Sequence, residues 1–111
     1  MTIVSDKNVE TALTYLSADP HPIALARKDV TDAENKCKEL FASLYLASSC
    51  GSVAAREADV NSNPAYTAAK SEEAQAIFDL ERHRARSRAA DMLIECWRTE
   101  QSNIRAAERF R

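Results

Sequence analysis

A chain of 111 residues is bounded to one small domain, and with one glycine and three prolines it has too few turn formers for a many-stranded sheet. Hydrophobic residues at 45% and charged residues at 29% exclude a disordered polyelectrolyte, and no apolar run reaches the roughly 18 residues of a membrane span. A net charge of −2 excludes global steering toward nucleic acid, so any such contact must be local.

The first predicted helix covers 6–18. Ser5 or Asp6 can cap it, because a short side-chain oxygen reaches the free amides of the first turn. Val9, Leu13 and Leu16 give it one apolar stripe, and DPHP at 19–22 ends it, since proline removes a donor and restricts the residue before it. The second helix covers 22–48. Ile23, Val30, Cys37 and Leu44 recur seven apart, and Ala26, Ala33, Leu40 and Ala47 interleave with them as the a and d positions of four heptads. Alanines on the d side let a partner helix approach closely. TDAE at 31–34 matches a capping box, so a restart at Thr31 is the alternative.

SSCGS at 48–52 reads as a turn, and Gly51 can take the left-handed conformation that ends a helix. VAAREADV at 53–60 has the composition of a further short helix. Asn63 then Pro64 is a helix start, a cap followed by a pre-set first residue, and the third long helix covers 64–110, with SEEA at 71–74 as an alternative start. Unbroken, this helix measures about 65–70 Å against about 40 Å for the second. The second cannot cover it end to end, so something else must cover the remainder.

The third helix also carries two apolar stripes. Ala69, Ala76, Leu80, His83, Ser87, Ala90, Ile94, Trp97 and Ile104 share one side, and Ala74, Phe78, Ala85, Ala89, Met92, Cys96, Ala107 and Phe110 lie almost opposite. A surface helix in a small monomer needs one stripe. The second helix is expected to cover the first stripe. The first helix or another subunit is expected to cover the other, and the shortness of the first helix favours a dimer or higher oligomer over a monomeric three-helix bundle. The candidate partner interface is therefore Phe78, Ala85, Ala89, Met92, Cys96 and Phe110.

Charge is distributed unevenly, with 7 Lys and Arg against 11 Asp and Glu in residues 1–75, and 8 Arg against 6 Asp and Glu in residues 76–111. ERHRARSRAAD at 81–91 places Arg82, Arg84, Arg86 and Arg88 at alternate positions. On a helix Arg82 and Arg86 fall near one border between the stripes, and Arg84 and Arg88 near the other, so no single basic face forms. Asp79, Glu81 and Asp91 lie three residues from Arg82, Arg84 and Arg88, and only Arg86 lacks such a neighbour. Arg82, Arg86 and Arg105 are the candidate phosphate contacts if the chain binds DNA.

Trp97, at helical spacing with Leu80, Ala90 and Ile94, reads as a packing anchor. His83 reads as a packed, hydrogen-bonded histidine, since no acid completes a triad with it and Ser87. Three scattered cysteines and two histidines have no metal-ligand spacing or disulfide framework, which predicts reduced thiols, with Cys50 the most exposed. No phosphate loop, GxSxG or HExxH occurs. Catalytic residues, metal and cofactor are all expected to be none.

The ending IECWRTEQSNIRAAERFR, after a long Arg/Ala-rich helix that begins at Asn63, Pro64 and Tyr66, resembles small helical-hairpin proteins of temperate bacteriophages, often encoded among early replication and recombination genes. The resemblance covers roughly the second half and rests on a loose WR-T/S-E-Q ending. It implies a protein of the host-cell cytoplasm with a role in DNA metabolism or in managing host machinery, and it transfers no site residue. The expectation is a single all-α domain: an antiparallel long-helix hairpin with a short N-terminal helix, coiled-coil-like packing and oligomeric assembly. The expected function is non-enzymatic interaction with a host or phage protein, as accessory or inhibitor of a nucleic-acid-processing or host-defence machine. Direct DNA binding and a virion structural role are the alternatives.

Overall fold

The computed structural model describes residues 4–110. The chain is all-α: α1 (Asp6–Leu16), α2 (Pro22–Ala47), α3 (Val53–Ser62) and α4 (Pro64–Arg109), with no strand among the described residues. Local chemistry sets each boundary. The Ser5 hydroxyl accepts from the Asn8 amide at 3.2 Å and caps α1. The His21 ring performs the same task for α2, its Nδ1 accepting from the Ile23 amide at 3.1 Å. Ser52 caps α3 by accepting from the Ala55 amide at 3.1 Å. Asn63 serves two helices: its N–H closes α3 on the Val60 carbonyl at 3.0 Å, and its side-chain oxygen accepts from the Ala65 amide at 2.9 Å to open α4. Pro64 then occupies the first helical position, where a missing N–H costs nothing.

Contacts divide the chain into two compact units, residues 24–81 and residues 1–23 with 82–111, and α4 contributes to both. In the first unit, α2 and the N-terminal part of α4 run antiparallel: Lys36 pairs with Glu72 at 2.8 Å, and Phe41 meets Tyr66 edge-on at 5.7 Å. The heptad row of α2 faces this contact, with Ala26 and Cys37 buried and Val30, Ala33, Leu40 and Leu44 half-buried. Ala69 and Leu80 supply the buried positions on α4. Val60 of α3 is the most enclosed side chain, at 1% exposure. Arg56 ties the loop after α2 to α3, donating from Nε to the Cys50 carbonyl at 2.8 Å while its guanidinium lies 5.6 Å from the Tyr45 ring centre.

In the second unit, α1 lies antiparallel on the C-terminal part of α4. Tyr15 reaches His83, Asp6 reaches Trp97, and the Val4 amide reaches Glu100 at 3.4 Å. Ala12, Tyr15 and Ala90 form its buried centre, with Leu16, Leu93 and Ile94 packed around them. The small Ala12 and Ala90 allow the two helices to approach closely.

Three expectations need correction. The inward stripe of α1 is Val9, Ala12 and Tyr15, and Leu13 is 51% exposed. The hydroxyl of Tyr15 needs a partner when buried, and α4 provides one, which turns α1 by part of a step. Gly51 has no positive φ, so it is a turn residue without a left-handed role. The second and third predicted helices are continuous as expected, and the alternative starts at TDAE and SEEA are not used. Finally, α1 packs on the same stripe of α4 that α2 was expected to cover, and of the opposite stripe it reaches only the edge, at Ala89.

The Gly51 finding has a measurable consequence. A Cβ built there meets nothing within 4 Å. Gly51→Ala is therefore expected to raise stability by about 0.4–1 kcal/mol, by narrowing the unfolded ensemble, as read from the denaturant midpoint. A loss of stability would restore the left-handed reading.

Candidate interaction surfaces

The arginine run is the first candidate, and its members go separate ways. The Arg86 guanidinium lies over the Tyr15 ring, 4.2 Å from its centre. This is cation–π geometry, and it occupies the one arginine of the run that has no acid three residues away. Arg82 and Arg84 also have partners, as do Asp79 and Glu81. Arg88 and Arg105 are solvent-exposed. The three residues proposed to touch phosphate, Arg82, Arg86 and Arg105, are not gathered into a patch built for that purpose.

Tyr15, which the sequence pattern did not single out, is the centre of a polar aromatic cluster. Its hydroxyl donates to the His83 carbonyl oxygen at 3.0 Å and lies 3.2 Å from His83 Nδ1. A phenol has one proton to give. With that proton on the carbonyl, the contact with His83 Nδ1 is a hydrogen bond only when that nitrogen donates. The two rings are nearly parallel at 6.2 Å, and His21 meets Tyr15 edge-on at 5.2 Å. These contacts tie the Tyr15 hydroxyl to α4 and so serve helix packing. Ser87 does not enter these hydrogen bonds among the contacts seen for Tyr15 and His83.

Trp97 is half-buried and shares a groove with Val9 and Leu13, and its indole N–H donates to the Asp6 carboxylate at 3.2 Å. Asp6 sits in the first turn of α1, where negative charge is favoured by the helix dipole. One contact thus fixes the start of α1 to α4.

A second groove lies between α2 and α4, lined by Cys37, Lys38, Phe41, Tyr66, Lys70 and Glu73 among others. Burial pushes the Cys37 thiol above its ordinary range, and a hydrogen bond to Glu73 and the negative charge of that carboxylate add to the rise. Lys70, 3.3 Å from Glu73, is raised by that hydrogen bond and charge. A thiol held neutral is a poor nucleophile. Cys96 is the exposed thiol and Cys50 is half-buried, which reverses the expected order, because Arg56 holds the Cys50 carbonyl against α3. Among the described residues, no three of His, Cys, Asp and Glu lie close enough to hold a metal ion, and no helix is long and apolar enough to cross a membrane.

The remaining candidate is the second stripe of α4. Ala74, Phe78, Ala85, Ala89, Met92, Cys96 and Ala107 all face solvent, with Phe78 61% and Met92 68% exposed. Phe110 is exposed too, but it lies one residue past the end of α4. The opposite stripe is buried or half-buried from Ala69 to Trp97, Ile104 being its exposed end. No protein-family model, curated protein or solved structure matches the chain.

Two outcomes check this geometry. Tyr15→Phe keeps the ring under Arg86 but removes the hydroxyl, and is expected to cost about 1–2 kcal/mol in chemical denaturation. An unchanged midpoint would show that the hydroxyl is not engaged. For Cys37 the folded thiol binds its proton more tightly than the unfolded one. Its contribution is complete below the ordinary thiol value of about 8.5 and is lost as pH rises through the raised folded value. Stability is therefore expected to fall at alkaline pH, with a shallower fall in Cys37→Ala.

Proposed function

We propose that the chain is a non-enzymatic interaction protein of bacteriophage type that self-associates through α4. Its task in this reading is to act as accessory or inhibitor of a nucleic-acid-processing or host-defence machine. The observation that carries the reading is the solvent-facing apolar row of α4, opposite a side that is already packed. Exposed apolar patches of this kind mark contact surfaces in soluble proteins. The heptad row of α2 supports coiled-coil-like packing with α4 in its own unit. The resemblance of the C-terminal half to phage hairpin proteins supplies the class of machine and the host-cell cytoplasm as the setting. The acidic surface of the first 75 residues and the arginine borders of α4 would then occlude a surface on the partner.

Direct DNA binding is the competing reading, and the stacking of Arg86 on Tyr15 weighs against it. The test is a titration of labelled single- and double-stranded DNA at low salt, about 50 mM, beside capture of proteins from a bacterial lysate on the immobilised chain. The expected result is no salt-sensitive DNA binding and retention of a defined protein. DNA binding that weakens with salt, and again when Arg82, Arg86 and Arg105 are changed to glutamine, would overturn the proposal.

A further inference from the structure

The bare face of α4 has charged borders, and their arrangement selects an occupant. Within residues 82–100 the face is centred on Ala85, Ala89, Met92 and Cys96, all exposed. Stepping along the helix, Arg82 and Glu100 fall at one border, and Arg88 and Glu95 at the other. Besides Arg86, which lies on Tyr15, and the half-buried Arg84, each border therefore has an arginine toward one end of the segment and a glutamate toward the other. The Glu95 carboxylate already accepts from Arg98 at 3.3 Å, and Glu100 accepts from the Val4 amide. A carboxylate has room for more than one donor, so both can take another.

We infer that this face is covered by a second copy of the same chain, with the two α4 segments antiparallel about a twofold axis near Asp91. This rests on the interaction reading above and names the occupant. In an antiparallel twofold pair each border meets its own counterpart. Arg82 then comes level with Glu100 of the second copy, and Arg88 with Glu95 of the second copy, each pair occurring twice. The apolar layers share the register: Ala85 lies against Cys96 of the second copy, and Ala89 against Met92 of the second copy. All four midpoints fall between Ala90 and Met92. Small alanines opposite Met92 and Cys96 give alternating small and large layers, which is how close-packed helices interdigitate. A parallel pair crosses the borders instead. It brings Glu95 toward Glu100 of the second copy and leaves Arg88 beside an alanine. Net attraction on both borders is obtained only with the antiparallel arrangement.

Sedimentation equilibrium of the full chain tests the inference through charge reversal. Arg88→Glu and Glu95→Arg each place two like-charged pairs in the homodimer, and each is expected to weaken self-association about tenfold. An equimolar mixture of the two variants is expected to restore it as a heterodimer, because both border pairs become opposite in sign again. The helical circular dichroism of each variant stays that of the unmodified chain, since these positions are exposed. A disulfide test gives the register independently: oxidised Ala85→Cys is expected to yield an intermolecular link between the position-85 and Cys96 peptides, mapped by mass spectrometry. A chain that stays monomeric at tens of micromolar, variants whose mixture is no better than either alone, or a dominant Cys96-to-Cys96 link in the unmodified chain would each overturn it. Monomer with protein capture intact would sink the second copy and the self-association but spare the binding of another protein, whereas salt-sensitive DNA binding would sink the whole reading whatever the oligomeric state.

Discussion

The constraint on which the rest depends is the disparity in helix length. At 1.5 Å per residue, the 46 residues of α4 measure about 69 Å and the 26 residues of α2 about 39 Å. A helix cannot bury a stripe against a partner that has ended. The chain meets this with two short partners, each in its own compact unit: α2 packs on the N-terminal part of α4, and α1 on the C-terminal part. Within each unit the buried positions of α4 are its inward ones, Ala69 and Leu80 in one and Ala90 in the other. Among the described residues Phe78, Ala85, Met92 and Cys96 of the other stripe stay exposed, and the oligomeric reading arises from them.

The join between α1 and α4 shows how a charged sequence can pack without a large core. Tyr15 presents a broad apolar ring between Arg86 on one face and helix side chains around it, while its hydroxyl reaches the His83 backbone carbonyl. The arginine remains hydrated at its edge and needs no carboxylate. Asp6 and Trp97 repeat the theme at the other end of α1, an apolar body with its one donor satisfied. Packing here is carried by amphipathic residues, which suits a composition with 29% charged residues.

These residues also explain what was legible in the sequence. The α2 face was plain because a seven-residue repeat over 26 residues admits one helical solution, and Cys37 and Ala26 lie buried on it. The Asn63–Pro64 start of α4 was equally plain, because cap chemistry is local. The inward face of α1 was not. Val9, Leu13 and Leu16 have helical spacing, but so do Val9, Ala12 and Tyr15, and the choice depends on a carbonyl 68 residues away. The role of Arg86 was hidden for the same reason. Gly51 misled differently: a glycine permits a left-handed conformation, and permission was taken for use. The bare stripe of α4 was visible as a pattern, since periodicity reports faces, but which neighbour covers each face is decided by helix lengths and joints.

The order of contacts along the chain bears on how it is made. Lys36 waits 36 residues for Glu72, but Tyr15 waits 68 for His83, Asp6 waits 91 for Trp97 and Val4 waits 96 for Glu100. During synthesis α1 is made ahead of α2, α3 and the part of α4 on which it packs. Its 11 residues are below the length at which an isolated helix is stable in water. The nascent chain therefore carries α1 without its packing surface through the synthesis of α2 and α3, and completion of the C-terminal part of α4 is the event that gives α1 its place.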